Sequence, residues 1–104
     1  REFICVDDLA DGLIYLLKYY NCEAPINIGT GEETSIRELA EILRDISGWK
    51  GVLKFDASKP DGSPRKVMNN DRIHTLGWRH RTSLKMGLKQ AYQWFSENQD
   101  VARR

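Results

Sequence analysis

The stretch Lys59-Pro60-Asp61-Gly62-Ser63-Pro64-Arg65-Lys66 holds the residue types best suited to chemistry. It places three cations and one carboxylate on a chain stiffened by two prolines. Arginine and lysine can neutralise phosphate oxygens and donate hydrogen bonds to them. An aspartate can accept hydrogen bonds from sugar or ribose hydroxyls. Together these groups suit a nucleoside diphosphate. A solvated surface loop carries similar charges, and composition does not separate the two readings.

Other candidate groups read as structural. Gly29-Thr30-Gly31 follows an extended run and precedes a helix, the setting of a dinucleotide loop. The third glycine would fall where Thr34 stands, so this reads as a turn ending a strand. Asp7, Asp8 and Asp11 could pair as acid and base. They fall in the first turns of a helix, where capping and the helix dipole favour acids. His74 and His80 are six residues apart, with Arg79 and Arg81 flanking His80. Without converging ligands they read as solvated surface rather than a metal site. Tyr15 and Lys18 are three apart, whereas the catalytic pair of short-chain dehydrogenases is four apart. Trp49, Trp78 and Trp94 could stack on bases but read as partly buried structural residues. Cys5 and Cys22 read as two reduced, half-buried thiols. No catalytic, cofactor-binding or metal-binding residue is assigned within the chain.

The elements that must position these groups follow from periodicity. Residues 2–6, 25–28 and 52–55 read as short strands. Leu9, Ala10, Leu13, Ile14, Leu17 and Tyr20 recur at helical spacing, with Asp7-Asp8 as the expected cap and Asn21 as the stop. Ser35-Ile36-Arg37-Glu38 fits a capping box, and Gly48 stands where a left-handed terminal residue is wanted. Asn70 or Asp71 should start a short helix closing at Gly77. A last helix should follow Thr82-Ser83. Three or four helices with short strands imply an α/β unit.

The totals bound the rest. A chain of 104 residues is one domain at most, able to bury a modest core. A net charge of +1 speaks against a general nucleic-acid binder. The longest apolar run, residues 13–17, is too short for a bilayer. The chain starts with arginine, so it is expected to be part of a longer one.

In order, these segments resemble the C-terminal part of extended short-chain dehydrogenases that act on nucleotide sugars. The first marker is Arg1-Glu2-Phe3-Ile4-Cys5-Val6-Asp7-Asp8-Leu9-Ala10, similar to the family's R-[ED]-F-x-x-V-x-D-x-A. The second is Ile26-Asn27-Ile28-Gly29-Thr30-Gly31 with Ser35-Ile36-Arg37-Glu38-Leu39-Ala40. The third is Leu76-Gly77-Trp78, then Ser83-Leu84 and Gly87-Leu88. Within that superfamily, Phe55-Asp56-Ala57-Ser58-Lys59-Pro60-Asp61-Gly62-Ser63-Pro64-Arg65-Lys66 resembles the F-D-x-S-K-P-D-G-[TS]-P-R-K loop of the GDP-L-fucose synthase family.

The resemblance implies an α/β fold with the Rossmann domain mostly absent from this chain. Residues 1–98 would form a GDP-sugar-binding domain and residues 99–104 a polar tail. It implies a full-length enzyme that epimerises GDP-4-keto-6-deoxy-D-mannose at C3 and C5 and reduces C4 with NADPH. Arg1, Asp61 and Lys66 match substrate-binding positions, and Arg65 is a further candidate. Cys5 does not match the family's catalytic cysteine. NADP(H) would be held by the absent domain, leaving this chain inactive alone. The expected partner is a GDP-sugar, with no nucleic acid and no membrane. A cytoplasmic homodimer is expected for the whole enzyme, and self-association for the chain alone. Asn69 stands where the family often has aspartate. Another nucleotide-sugar epimerase or dehydratase, or a free-standing nucleotide- or protein-binding module, remains open at this point.

Overall fold

The structure, a computed structural model, describes residues 1–102. It contains helices α1 (Val6–Tyr19), α2 (Ile36–Ser47), α3 (Asp71–Thr75) and α4 (Leu84–Glu97). Among the described residues there is no strand. The runs 2–6, 25–28 and 52–55 therefore do not form the strands their sequences suggest. A β-branched, alternating run becomes a strand only when its N–H and C=O groups meet a ladder partner. These runs find none among the described residues.

The helix signals of the sequence operate locally. Ser35 Oγ accepts from the Glu38 N–H and Glu38 Oε2 from the Ser35 N–H, each at 3.0 Å, closing the capping box of α2. Gly48 ends α2 at φ +71°, a conformation that favours glycine, and its N–H donates to the Arg44 and Asp45 carbonyls. Ser83 caps α4 by accepting from the Met86 N–H at 3.2 Å. For α3 the capping position is Asn70, but the bond comes from Asn69, whose Oδ1 accepts from the Asp71 N–H at 2.9 Å. Asparagine at position 69 thus serves the entry to α3.

The start of α1 differs from expectation. Its cap is Cys5, which makes no side-chain capping bond, and the helix stops at Tyr19. Asp7 and Asp8 lie in the first turn, where the dipole favours them. Asp8, however, points away from the helix end. Its Oδ2 accepts from the Arg81 and Thr82 N–H groups at 3.0 and 2.8 Å, and its Oδ1 from the Thr82 hydroxyl at 3.2 Å. One turn on, Asp11 Oδ2 accepts from Trp78 Nε1–H at 2.9 Å. The Tyr15 hydroxyl donates to the Leu76 carbonyl. Positions 8, 11 and 15 share one helix face. That face grips residues 76–82 from end to end.

The core lies at this grip. Ile73 and Trp78 are the buried apolar side chains among the described residues. Gly12 makes the approach possible, since a Cβ there would lie 2.4 Å from Ile28 Cδ1 and 2.8 Å from Trp78 Cζ2. Elsewhere α2 packs against α4. The radius of gyration is 16.5 Å, where a compact domain of this length has about 13 Å. The opposite flank of α1 stays open, with Leu17 85% exposed and Leu13 and Ile14 also in solvent. Trp49 and Trp94 are exposed rather than partly buried. No helix among the described residues is long and apolar enough to cross a membrane. Residues 99–102 turn back on Asn98, whose carbonyl accepts from the Val101 and Ala102 N–H groups. The last two residues of the expected polar tail, 103–104, lie outside the described residues.

Candidate functional site

The loop 56–66 leaves residues 52–55, whose last member, Phe55, lies under the Arg37 guanidinium at 4.2 Å from the ring centroid. Asp56 begins the loop by accepting from the Ser58 hydroxyl and N–H, which holds its carboxyl below its usual value. At the far end, Arg65 Nε donates to Glu33 Oε1 at 2.9 Å. Between these anchors, Arg1 Nη1 donates to the Ser63 carbonyl at 2.6 Å. The Arg1 backbone is itself tied to Thr34 in both directions, at 2.9 and 2.8 Å.

The loop therefore meets the start of the chain, as a shared site requires. Arg1 touches it directly. Asp61 lies exposed at its tip. Lys66 is exposed and lines a recess of about 350 Å³ with Glu2, Val67 and Met68. Arg65 is turned to Glu33 instead. Arg65 and Lys66 thus meet different neighbours, which separates their roles. A larger recess, about 420 Å³, lies beside the unpaired segment 25–27 and includes Asn69, Asp71 and Arg72. It contains none of the four charged candidates.

Behind the recess sits Glu2. Its Oε2 accepts from the Gly31 N–H at 3.0 Å and from Asn70 Nδ2 at 3.3 Å. Gly29-Thr30-Gly31 is thus a turn pinned by a carboxylate. The Glu2 Oε1, Asn70 Oδ1, His74 Nε2 and His80 Nδ1 atoms are buried without a protein partner. Neither histidine is the solvated surface residue its sequence setting suggests. His80 Nε2 lies 3.4 Å from Glu32 Oε1. His74 is held below its usual value by burial first, then by Arg79 and His80, against Asp71 and Glu2. Both cysteines are free, but Cys22 is exposed rather than half-buried. Among the described residues no group of three or more metal-ligating side chains gathers.

Sequence reasoning missed Glu33, Thr34 and Asp8 as organisers. Each acts on residues 32 or more positions away along the chain, as the separations of 32, 33 and 73 for their bonds show. No local pattern encodes such partners.

No protein-family model matches the chain. Its shape matches a GDP-6-OMe-4-keto-L-xylo-heptose reductase from Campylobacter jejuni with TM-score 0.84 and 39% identity, over 93% of this chain and 31% of that one. A GDP-L-fucose synthetase from Naegleria fowleri bound to NADP matches with TM-score 0.95 and 32% identity, over 100% of this chain and 33% of that one. The class they define is the extended short-chain dehydrogenase type that works on GDP-sugars, and this chain matches its C-terminal part. The particular likeness is to GDP-L-fucose synthase. GDP-L-fucose synthase 1 of Arabidopsis thaliana is 47% identical over 98 residues, which is 94% of this chain and 30% of that protein. The chain spans about 30% of the length of the curated relatives it matches.

Proposed function

We propose that residues 1–98 form the GDP-sugar-binding part of a GDP-L-fucose synthase, followed by a polar tail at residues 99–104. The whole enzyme would convert GDP-4-keto-6-deoxy-D-mannose to GDP-L-fucose in the cytoplasm. It would epimerise C3 and C5 and then reduce the C4 ketone with NADPH held by the rest of the polypeptide. In this chain Arg1 and Lys66 would neutralise the diphosphate, and Asp61 would accept from sugar or ribose hydroxyls. Binding the nucleotide far from the reacting carbons would orient the sugar for reaction. The observation that carries the reading is the Arg1–Ser63 bond at 2.6 Å, which joins two stretches 62 residues apart into one cationic, Pro-stiffened surface.

The open flank of α1 would pack against the rest of the enzyme, which would work as a homodimer. The chain alone would then associate with itself.

An assay of the full-length protein with GDP-4-keto-6-deoxymannose and NADPH tests the reaction. No NADPH consumption rejects it. Run in deuterated water, epimerisation places deuterium at C3 and C5. A pure reductase, as the likeness to the heptose reductase would favour, consumes NADPH without that exchange. Asp61→Ala and Lys66→Ala should each weaken GDP-sugar binding by about 1–3 kcal/mol if each makes a charge-assisted bond. Unchanged binding in both variants would reduce the loop to surface.

A further inference from the structure

Three contacts close a ring around the candidate site. The Arg1 backbone is bonded to Thr34 in both directions at 2.9 and 2.8 Å. Glu33, the neighbour of Thr34, holds Arg65 at 2.9 Å. Ser63, two residues before Arg65, returns to the Arg1 guanidinium at 2.6 Å. Residues 33–34 thus hold both Arg1 and the far end of the loop. We propose that Glu33 is a positioning residue for substrate: acting through Arg65, it fixes the spacing between the Arg1 guanidinium and Lys66. The proposal rests on the reading of Arg1 and Lys66 as diphosphate ligands.

The physical case is one of geometry rather than strength. Glu33 and Arg65 are 45% and 70% exposed, so their ion pair adds little stability. A diphosphate, however, is bound by two cations only if both reach it at once. Arg65 is committed to Glu33, and its neighbour Lys66 faces the recess beside Glu2. Without Glu33 the Arg65 end of the loop is free to swing, and Lys66 swings with it. Arg1 keeps its own backbone bonds to Thr34. The loss should therefore fall on binding, with the chemical step unchanged.

Four variants of the full-length protein test this by steady-state kinetics. Glu33→Ala and Arg65→Ala should each raise KM for the GDP-sugar about three- to fivefold at unchanged kcat. The double Ala variant should be no worse than either single one, because both remove the same contact. Exchange of the two charges, Glu33→Arg with Arg65→Glu, should return KM to within about twofold of the parent. If Arg65→Ala raises KM and Glu33→Ala does not, Arg65 is a ligand in its own right and the proposal falls. It falls equally if the exchanged pair stays as poor as the singles. Lys66→Ala separates the two levels of inference. A raised KM there with a silent Glu33→Ala overturns only the positioning role. An unchanged KM in Lys66→Ala overturns the site itself and the proposal with it.

Discussion

Two regions of this chain are held by side chains from far along the sequence, and they are held in opposite ways. Residues 76–82 are gripped by Asp8, Asp11 and Tyr15 of α1 in a part of the molecule where Trp78 is 4% exposed. Residues 63–66 are gripped by Arg1 and Glu33 at the surface. In the first region the bonds are part-buried around Asp8 and Trp78, so breaking one contact leaves the other side with less water to replace it. In the second, water replaces a lost partner at little cost. The first grip holds the fold together. The second sets where charged groups stand, which matters only to a ligand.

Asp8→Ala should break the comparison at its strongest point. The carboxylate accepts three hydrogen bonds, and its removal leaves the Arg81 and Thr82 N–H groups without their acceptor. A loss of about 2–3 kcal/mol is expected, read as a shift in the urea midpoint of the full-length protein. A change below about 0.5 kcal/mol would show that α1 is not held through Asp8. Asp11→Ala should cost less, about 1–2 kcal/mol, because only the Trp78 indole N–H loses its partner.

Acid should reach the same region. Burial alone would raise the Asp8 carboxyl, but the Thr82 and Arg81 N–H groups, the Thr82 hydroxyl and His80 outweigh it and hold the carboxyl below its ordinary value of 3.8. His74 is held below its ordinary value of 6.5, chiefly by burial. Both groups have folded values lower than unfolded ones, so the unfolded chain takes up their protons first. Each contribution is complete above the ordinary value and drains as pH falls through the folded one. Stability should therefore decline below about pH 6.5 through His74 and again below about pH 3.8 through Asp8. Replacing His74 with Gln should remove the first decline and leave the second. A first decline that survives His74→Gln belongs to another group.

What the sequence disclosed follows the reach of each interaction. The capping box of α2 was legible because Ser35 and Glu38 are three residues apart. Gly48 and Ser83 were legible for the same reason. Asp8 was misread as a cap because its partners lie 73 and 74 positions on. The runs 25–28 and 52–55 carry strand-like residues, yet a strand is a relation between two segments and no second one pairs with them among the described residues. Of the site, Arg1 and the loop 56–66 were legible through resemblance to a long motif. Glu33 was not, since a glutamate before a helix carries no mark of an arginine 32 residues away.

The smallest effect on stability sharpens the comparison most. Arg65→Ala removes an ion pair whose partners are 70% and 45% exposed. Both groups regain water, and no buried atom is left without a partner. The expected change in the urea midpoint corresponds to no more than about 0.5 kcal/mol. Asp8→Ala, measured beside it, should be several times larger although both variants remove one charged side chain. If Arg65→Ala proved as costly as Asp8→Ala, the loop would be part of what holds the chain folded. Its contacts could not then be read as tuned for a ligand, because selection for stability alone would keep them.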